Sequence, residues 1–341
     1  MRTAVAVPTS SPIESAGIAQ IARIKGLAAL GRGDTYDLAE QLGSSRVRKA
    51  VSAMTTGNTP DMLDMNVIVG AFLQTMRNSS VFLRLLDSMV RVPFRSRISL
   101  VATDATSWTV GEGKPIPVTN ATLDQLLLTP QKAAALLVVT EELLRGTQSE
   151  RNLTLALRRA LAAAVDLRFL STAIGAGTPT FPSVGPTAAD AVADVKQLLD
   201  AVQPTSESSL MFVTAPDVQR AGATITNASG AFQFPNLTPT GGEILGIPAM
   251  PSDQMIDGTM ALIDATRIAG ETGTIQVDAS DQATIEMLDS ALVQDATTGT
   301  PAPGLVSMFQ ANSVAIRALL DFDAQVVREN AVAQVTGIAW A

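Results

Sequence analysis

Hydrophobic positions along the chain change their period several times, and each change marks an element. Residues 13–30, 36–42 and 46–54 carry apolar side chains at helical spacing in short runs, punctuated by Gly31, Gly33, Gly43 and Gly57. An extended stretch, Pro8-Thr9-Ser10-Ser11-Pro12, precedes them, and residues 62–86 follow with Ile68, Phe72, Met76 and Leu83 on a helical pattern. Few of these interrupted pieces can bury a face locally, so residues 1–90 read as an arm and not as a compact domain. Residues 89–93 and 97–101 then alternate roughly at period two, and 122–128 and 132–139 look like two more strands. Between them, Gly111, Gly113, Pro115 and Pro117 exclude a central strand. The stretch reads as a long two-stranded excursion with a loose tip.

The clearest helix is expected over residues 141–170, where Leu153, Leu157, Leu161 and Val165 recur every four residues beside Ala160, Ala164 and Phe169. A Gly/Thr/Pro-rich turn follows at 175–186. Residues 187–255 then suggest a second lobe. It has an amphipathic helix over 188–202 with Val192, Val195, Leu198 and Leu199 on one side. A buried strand at 210–214 leads to a helix started by Ala215-Pro216-Asp217, with Pro in the first turn. Residues 227–242 read as a long polar loop containing Phe232 and Phe234, and 244–250 as a strand. The last part is β-rich, with strands at 260–264, 274–277, 313–320 and 331–338 around a Pro/Gly loop at 297–304. There is no internal repeat.

Composition narrows the function. Of 341 residues, 46% are hydrophobic and only 16% charged, against a typical charged share of about 25%. Burial against further copies of the chain would resolve that shortage. Cys and His are both absent, which removes disulfides, thiolate chemistry, most zinc sites and every acid–base scheme that needs imidazole. The start lacks the apolar region of a signal peptide, and the longest apolar run, 133–139, is strand-sized, so no membrane partner is expected. A net charge of −8 argues against general nucleic-acid binding. The charge is uneven: residues 1–100 hold 12 basic and 7 acidic side chains, and residues 101–341 hold 12 and 25. A basic arm of this kind can lie on the acidic body of another copy or face nucleic acid.

Candidate chemistry is thin. Gly111-Glu112-Gly113-Lys114 lacks the glycine spacing of a phosphate loop, and Lys114 precedes Pro115 instead of opening a helix. Glu141 and Glu142 are adjacent, so on a helix they point about 100° apart and do not share a proton or metal. Asp321 and Asp323 would share one face of a strand, but no third ligand is evident, and Arg317 competes as a partner. They read as a solvated edge or a subunit contact. No cofactor is expected. Arg77, Arg84, Arg91, Arg95, Arg97 and Lys114 concentrate positive charge where the arm meets the excursion, near the sparse aromatics Phe82, Phe94 and Trp108.

One ordered set of segments is familiar. It starts with Trp108-Thr109-Val110-Gly111-Glu112-Gly113-Lys114-Pro115-Ile116-Pro117, then Leu126-Leu127-Leu128-Thr129-Pro130-Gln131-Lys132 and Val138-Val139-Thr140-Glu141-Glu142-Leu143-Leu144-Arg145. Val213-Thr214-Ala215-Pro216-Asp217, Leu245-Gly246-Ile247-Pro248-Ala249 and Asn312-Ser313-Val314-Ala315-Ile316-Arg317-Ala318 follow in order. Together they resemble the major capsid protein family of tailed bacteriophages over roughly residues 89–341.

The resemblance implies an α+β fold of the Hong Kong ninety-seven type. Residues 1–90 would be the N-terminal arm, and 91–186 the extended loop and peripheral domain with its spine helix. Residues 187–255 would form the axial domain, and 256–341 the C-terminal strands of the peripheral domain returning to the axial domain. It implies a non-enzymatic chain that self-assembles through hexamers and pentamers into an icosahedral shell around double-stranded DNA, as part of a virion assembled in the host cytoplasm. Its partners would be a portal and scaffold, protease or decoration proteins. Subunit-contact candidates are Arg84, Arg91, Arg95, Arg97, Trp108, Glu112, Lys114 and Asp124. Some family members cross-link a lysine of the extended loop. Here the tip, 118–122, has none, with Lys114 nearest and Lys132 toward the base, which speaks against that chemistry. Three rival readings are an encapsulin-type compartment built on the same fold, a tail or baseplate protein, and a carboxylate-and-lysine enzyme.

Overall fold

The computed structural model describes residues 17–31, 34–42, 47, 72–103, 122–142, 149–175, 177–281, 284–286, 305–308 and 312–340. In chain order the described elements begin with α1 (Gly17–Ala29), α2 (Thr35–Leu42), α3 (Val81–Leu85), β1 (Val90–Arg91), β2 (Arg97–Thr103), β3 (Thr122–Leu127) and β4 (Gln131–Thr140). Next are α4 (Ser149–Ala173), β5 (Thr180–Pro182), α5 (Ala188–Val202), β6 (Leu210–Thr214) and α6 (Pro216–Thr224). The short strands β7 (Leu237–Thr238), β8 (Gly241–Ile244) and β9 (Ile247–Pro251) precede β10 (Met260–Asp264) and β11 (Ile268–Ser280). The chain closes with β12 (Thr284–Glu286), β13 (Leu305–Ser307), β14 (Ser313–Val326) and β15 (Val332–Thr336). The strands form a four-stranded sheet in the order β1-β11-β14-β4 and a seven-stranded sheet in the order β5-β15-β10-β6-β9-β8-β7. The pairs β2-β3 and β12-β13 stand as separate two-stranded ribbons.

The chain divides into two compact units, and α4, β4, β11 and β14 each have residues in both. The first unit comprises residues 1–79, 133–162 and 274–320. Its arm helix α1 buries Ile21, Ala22, Ile24 and Leu27, and Lys25 donates to the Val277 carbonyl and pairs with Asp278 at 3.6 Å. Asp278 also receives the Arg317 guanidinium at 3.0 Å. Arg317 is therefore committed to Asp278 and not to Asp321 or Asp323. The arm was expected to bury little by itself, yet α1 lies on β11 of the same chain, because its apolar stripe is regular enough to pack. Leu153, Leu157 and Leu161, four residues apart on α4, are buried in this unit, each contributing roughly 1.5–3 kcal/mol of hydrophobic stabilisation.

The second unit comprises residues 80–132, 163–273 and 321–341. In its seven-stranded sheet β10 is buried throughout and runs antiparallel to both β6 and β15. Helix α5 starts where the sequence predicts, because Thr187 and Asp190 form a reciprocal capping box. Its inward face is Ala191, Asp194, Val195, Leu198 and Val202, while Val192 is exposed, contrary to the sequence reading. Asp194 is fully buried and accepts from the Ser183 hydroxyl (2.6 Å), the Val184 N–H (2.8 Å) and the Trp340 indole N–H (3.0 Å), which ties the C-terminal segment to α5.

Two further expectations change. The strand predicted over 244–250 is a hairpin between β8 and β9, with Leu245 (φ 53°) and Gly246 (φ 79°) making the turn. Two consecutive positive φ values give the type I′ geometry that matches strand twist. The polar loop at 227–242 already contains β7 and the start of β8. Phe234 is buried against Trp340 with ring centroids 6.2 Å apart, whereas Phe232 is exposed. Of the helical pattern at 62–86, residues 62–71 lie outside the described residues, and 72–76 are helical as expected. Where it is described, a turn at 77–79 and the extended Ser80 break it ahead of α3. The pattern at 46–54 apart from Val47, the Gly- and Pro-broken tip and the 297–304 loop also lie outside the described residues.

Candidate subunit-contact surface

The excursion predicted from period-two alternation is the β2–β3 hairpin. Arg97 pairs with Leu127 at its base, and the ladder runs antiparallel to Thr103 opposite Thr122, with an irregularity between Val101 and Thr103. Among the described residues neither strand has a third partner, and β4, predicted beside them, belongs to the four-stranded sheet. An isolated two-stranded ribbon is marginal in water. This one is rooted in a small apolar cluster of Val92, Leu128 and Ala269, flanked by Val90, Phe94, Leu126 and Val327. The Arg95 N–H donates to the Leu128 carbonyl at 3.0 Å and closes the base.

The basic candidates separate into two kinds. Arg91 is already paired within its own chain, with Glu271 at 3.0 Å and Asp87 at 3.5 Å. Arg84, Arg95 and Arg97 are exposed, and no carboxylate of the described residues lies in ion-pair range of them. Arg95 adopts φ 59°, an uncommon left-handed conformation for a side-chain-bearing residue. Asp124 lies on β3 opposite Leu100. Trp108, Glu112 and Lys114 fall outside the described residues. The surface of the second unit also carries Leu245, Ile256 and Phe232 at 65%, 76% and 59% exposure.

Several carboxylates, one of them unnoticed in the sequence, have structural work. Asp166 on α4 is buried and accepts hydrogen bonds from the Ser80 hydroxyl and from the Val81 and Phe82 N–H groups. Burial raises its carboxyl to about 6 against the pull of those three donors. Asp323 was read as a solvated edge or a subunit contact; it is buried within its own chain, which removes the solvated edge, and burial raises it above the ordinary range while the N–H groups of Thr129 and Ala324 donate to it. Asp278 is lowered, first by the Arg317 hydrogen bond and also by Lys25. Glu141 is buried and Glu142 exposed, so the adjacent pair does not form one site. The described part of the long helix begins at Ser149, with 143–148 outside the described residues. Among the described residues no group of three acidic side chains is placed to hold a metal ion, and no helix is long and apolar enough to cross a membrane. The sequence signal for Asp166 was its place on the buried side of the helix, one residue after Val165 in the four-residue ladder.

Among the described residues, then, the ribbon has no third strand, and Arg84, Arg95 and Arg97 have no carboxylate in ion-pair range. The model of the phage capsid family matches residues 67–337. The chain is 29% identical over 324 residues to the capsid polyprotein of Pseudomonas phage PAJU2, covering 86% of this chain and 48% of that protein. It thus spans about half the length of that relative. It is 25% identical over 268 residues to the probable major capsid protein gp17 of Mycobacterium phage L5, covering 68% of this chain and 76% of that one. Solved structures from Mycobacterium phage Adephagia and Gordonia phage Cozz share its fold. Each gives a TM-score of 0.51, at 16% and 13% identity, over 76% and 75% of this chain and 90% and 86% of theirs. The fold is the α+β Hong Kong ninety-seven type. With most of its length matched by the family model, the chain belongs to the phage capsid family.

Proposed function

We propose that the chain is a major capsid protein that self-assembles through hexamers and pentamers into an icosahedral shell enclosing phage double-stranded DNA. The carrying observation is the β2–β3 ribbon, which lacks a third strand among the described residues and gains most by lying on another copy. Rings of five and six use head-to-tail contacts that close by symmetry, which suits a segment reaching from one copy to the next. Arg84, Arg95 and Arg97, with no carboxylate of the described residues in ion-pair range, supply charge for such a contact, and an acidic body of net −13 over residues 101–341 supplies its complement. Arg91, satisfied by Glu271 and Asp87, contributes less.

In this reading residues 1–90 are the arm, 91–186 the extended loop and peripheral domain, 187–255 the axial domain, and 256–341 the strands that return to it. Trp108, Glu112, Lys114 and Asp124 lie on the reaching segment. The work is self-association and not catalysis, in the virion capsid, after assembly in the host cytoplasm with a portal and with scaffold, protease or decoration proteins. A net charge of −8 keeps the shell from binding packaged DNA strongly, since affinity grows with the phosphates neutralised. That both curated relatives are named as phage capsid proteins favours a DNA-filled shell over a bacterial compartment.

The test is charge reversal. Arg84→Glu with Arg97→Glu is expected to abolish fast-sedimenting shells while leaving far-ultraviolet circular dichroism unchanged. Normal shells from the double variant would refute the role of these cations.

A further inference from the structure

The chain entering the β2–β3 hairpin and the chain leaving it are each fastened by a buried carboxyl. On the way in, Asp166 of α4 takes the Ser80 hydroxyl at 2.6 Å, the Val81 N–H at 2.9 Å and the Phe82 N–H at 3.1 Å. On the way out, Asp323 of β14 takes the Thr129 N–H at 3.0 Å, two residues past the end of β3. Its other oxygen takes the Ala324 N–H at 3.0 Å. The two fastenings meet in one apolar plug. Phe82 stands 5.4 Å from Phe169, three residues beyond Asp166, and 5.5 Å from Phe322, immediately before Asp323.

We propose that Asp166 and Asp323 form a proton-responsive latch on the two segments that carry the hairpin, firm when the carboxyls hold their protons and looser when they lose them. The hydrogen bonds allow both states. The Ser80 hydroxyl can donate to a carboxylate or accept from a carboxylic acid, while the Leu83 N–H also donates to it at 3.4 Å. The backbone N–H groups keep an acceptor oxygen either way. Only the ionised state bears the desolvation cost of burial. No charged side chain of the described residues acts on Asp166, whose neighbours are the Ser80 hydroxyl and the Val81 and Phe82 amides. Asp323 is faced by Arg168 of α4, which favours its ionised form, and Asp321 lies two residues back on the same strand.

The sign follows from linkage. An opened segment places Asp166 in water, where it titrates near its ordinary 3.8, whereas the closed latch raises it to about 6. Proton binding therefore favours the closed latch. That advantage is fully present below the open-state value and is lost as pH rises through about 6. Asp323 is raised in the same direction by burial. The inference rests on the proposed shell function only for its consequence, that the latch governs the segment reaching a neighbouring copy.

The test uses the full chain as free subunits, so that its failure overturns the latch and leaves the shell function standing. Hydrogen exchange of the Val81, Phe82 and Thr129 amides is measured at about pH 5 and about pH 7 and corrected for intrinsic rates. The opening constant at Val81 and Phe82 is expected to rise about tenfold across that interval. Asp166→Asn is expected to abolish the rise there. Asp323→Asn is expected to flatten the response at Thr129 and to keep it at Val81 and Phe82. Ser80→Ala keeps the carboxyl but removes a bond that lowers its pKa, so the midpoint is expected to move upward. This variant decides the matter where Asp166→Asn fails to fold. Equal opening at both pH values, the same slope in Asp166→Asn, or an unmoved midpoint in Ser80→Ala would each overturn the latch.

Discussion

Replacing Phe82 by alanine removes the ring on which α3 is seated. Phe82 has no exposed surface and lies 5.4 Å from Phe169, tilted to it, and 5.5 Å from Phe322, edge to face. The backbone also crowds it: a Cβ added at Gly270 would lie 3.4 Å from the ring. A buried Phe→Ala change costs about 3–5 kcal/mol through lost transfer energy and the cavity left behind. Two aromatic contacts, one tilted and one edge-to-face, each worth about 0.5–1.5 kcal/mol, place the expected loss toward the upper end, roughly 4–5 kcal/mol. That is a large share of a typical stability of about 5–15 kcal/mol. Urea unfolding of the free subunit, followed by circular dichroism, measures the loss directly. A cycle with Phe322→Ala should give a coupling of about 0.5–1.5 kcal/mol. A loss below about 1 kcal/mol, or additive effects of the two substitutions, would refute this packing of α3.

Lys25→Met should release α1 from β11, because it removes both the Val277 carbonyl contact and the Asp278 pair, and limited proteolysis at 17–29 should quicken. In the wild type the same release should appear on acidification. Asp278 is lowered by Arg317 and Lys25, so its contribution is present above the ordinary carboxylate value and is lost as pH falls through its lowered one. Leu245→Asn should stabilise the free subunit by roughly 0.5–1 kcal/mol in thermal or urea unfolding, since asparagine suits the left-handed turn position better than leucine. Asp194→Ala in a Trp108→Phe background should shift Trp340 emission to the red, as the indole loses its buried acceptor. An unchanged spectrum would show that Asp194 does not hold the C-terminal segment in place.

Local signals carried much of the fold. Thr187 and Asp190 mark the start of α5, Pro216 marks α6, and the alternation at 97–101 and 122–128 gives the hairpin, because capping, proline geometry and strand period act within a few residues. The β8–β9 turn was hidden because Leu245, an apolar residue, occupies a position where the turn chemistry calls for asparagine or glycine, and an unbroken apolar run reads as a strand. The candidate surface was legible only in its charge. Which arginines are free depended on Glu271, which is 180 residues from Arg91 in sequence. Asp166 and Ser80 are separated by 86 residues, and no periodicity reports such a bond. Asp323 looked like half of a surface carboxylate pair until packing buried it against the Thr129 amide.

The central claim is self-association into closed shells through outlying segments. Electron microscopy of the purified protein, after sedimentation to separate assemblies from free subunits, tests it most directly. Closed icosahedral particles, or uniform rings of five and six copies with the β2–β3 hairpin lying on an adjacent copy, are the expected result. Open tubes, or a monodisperse monomer that does not assemble in crowding agents, salt or the presence of its scaffold, would contradict it.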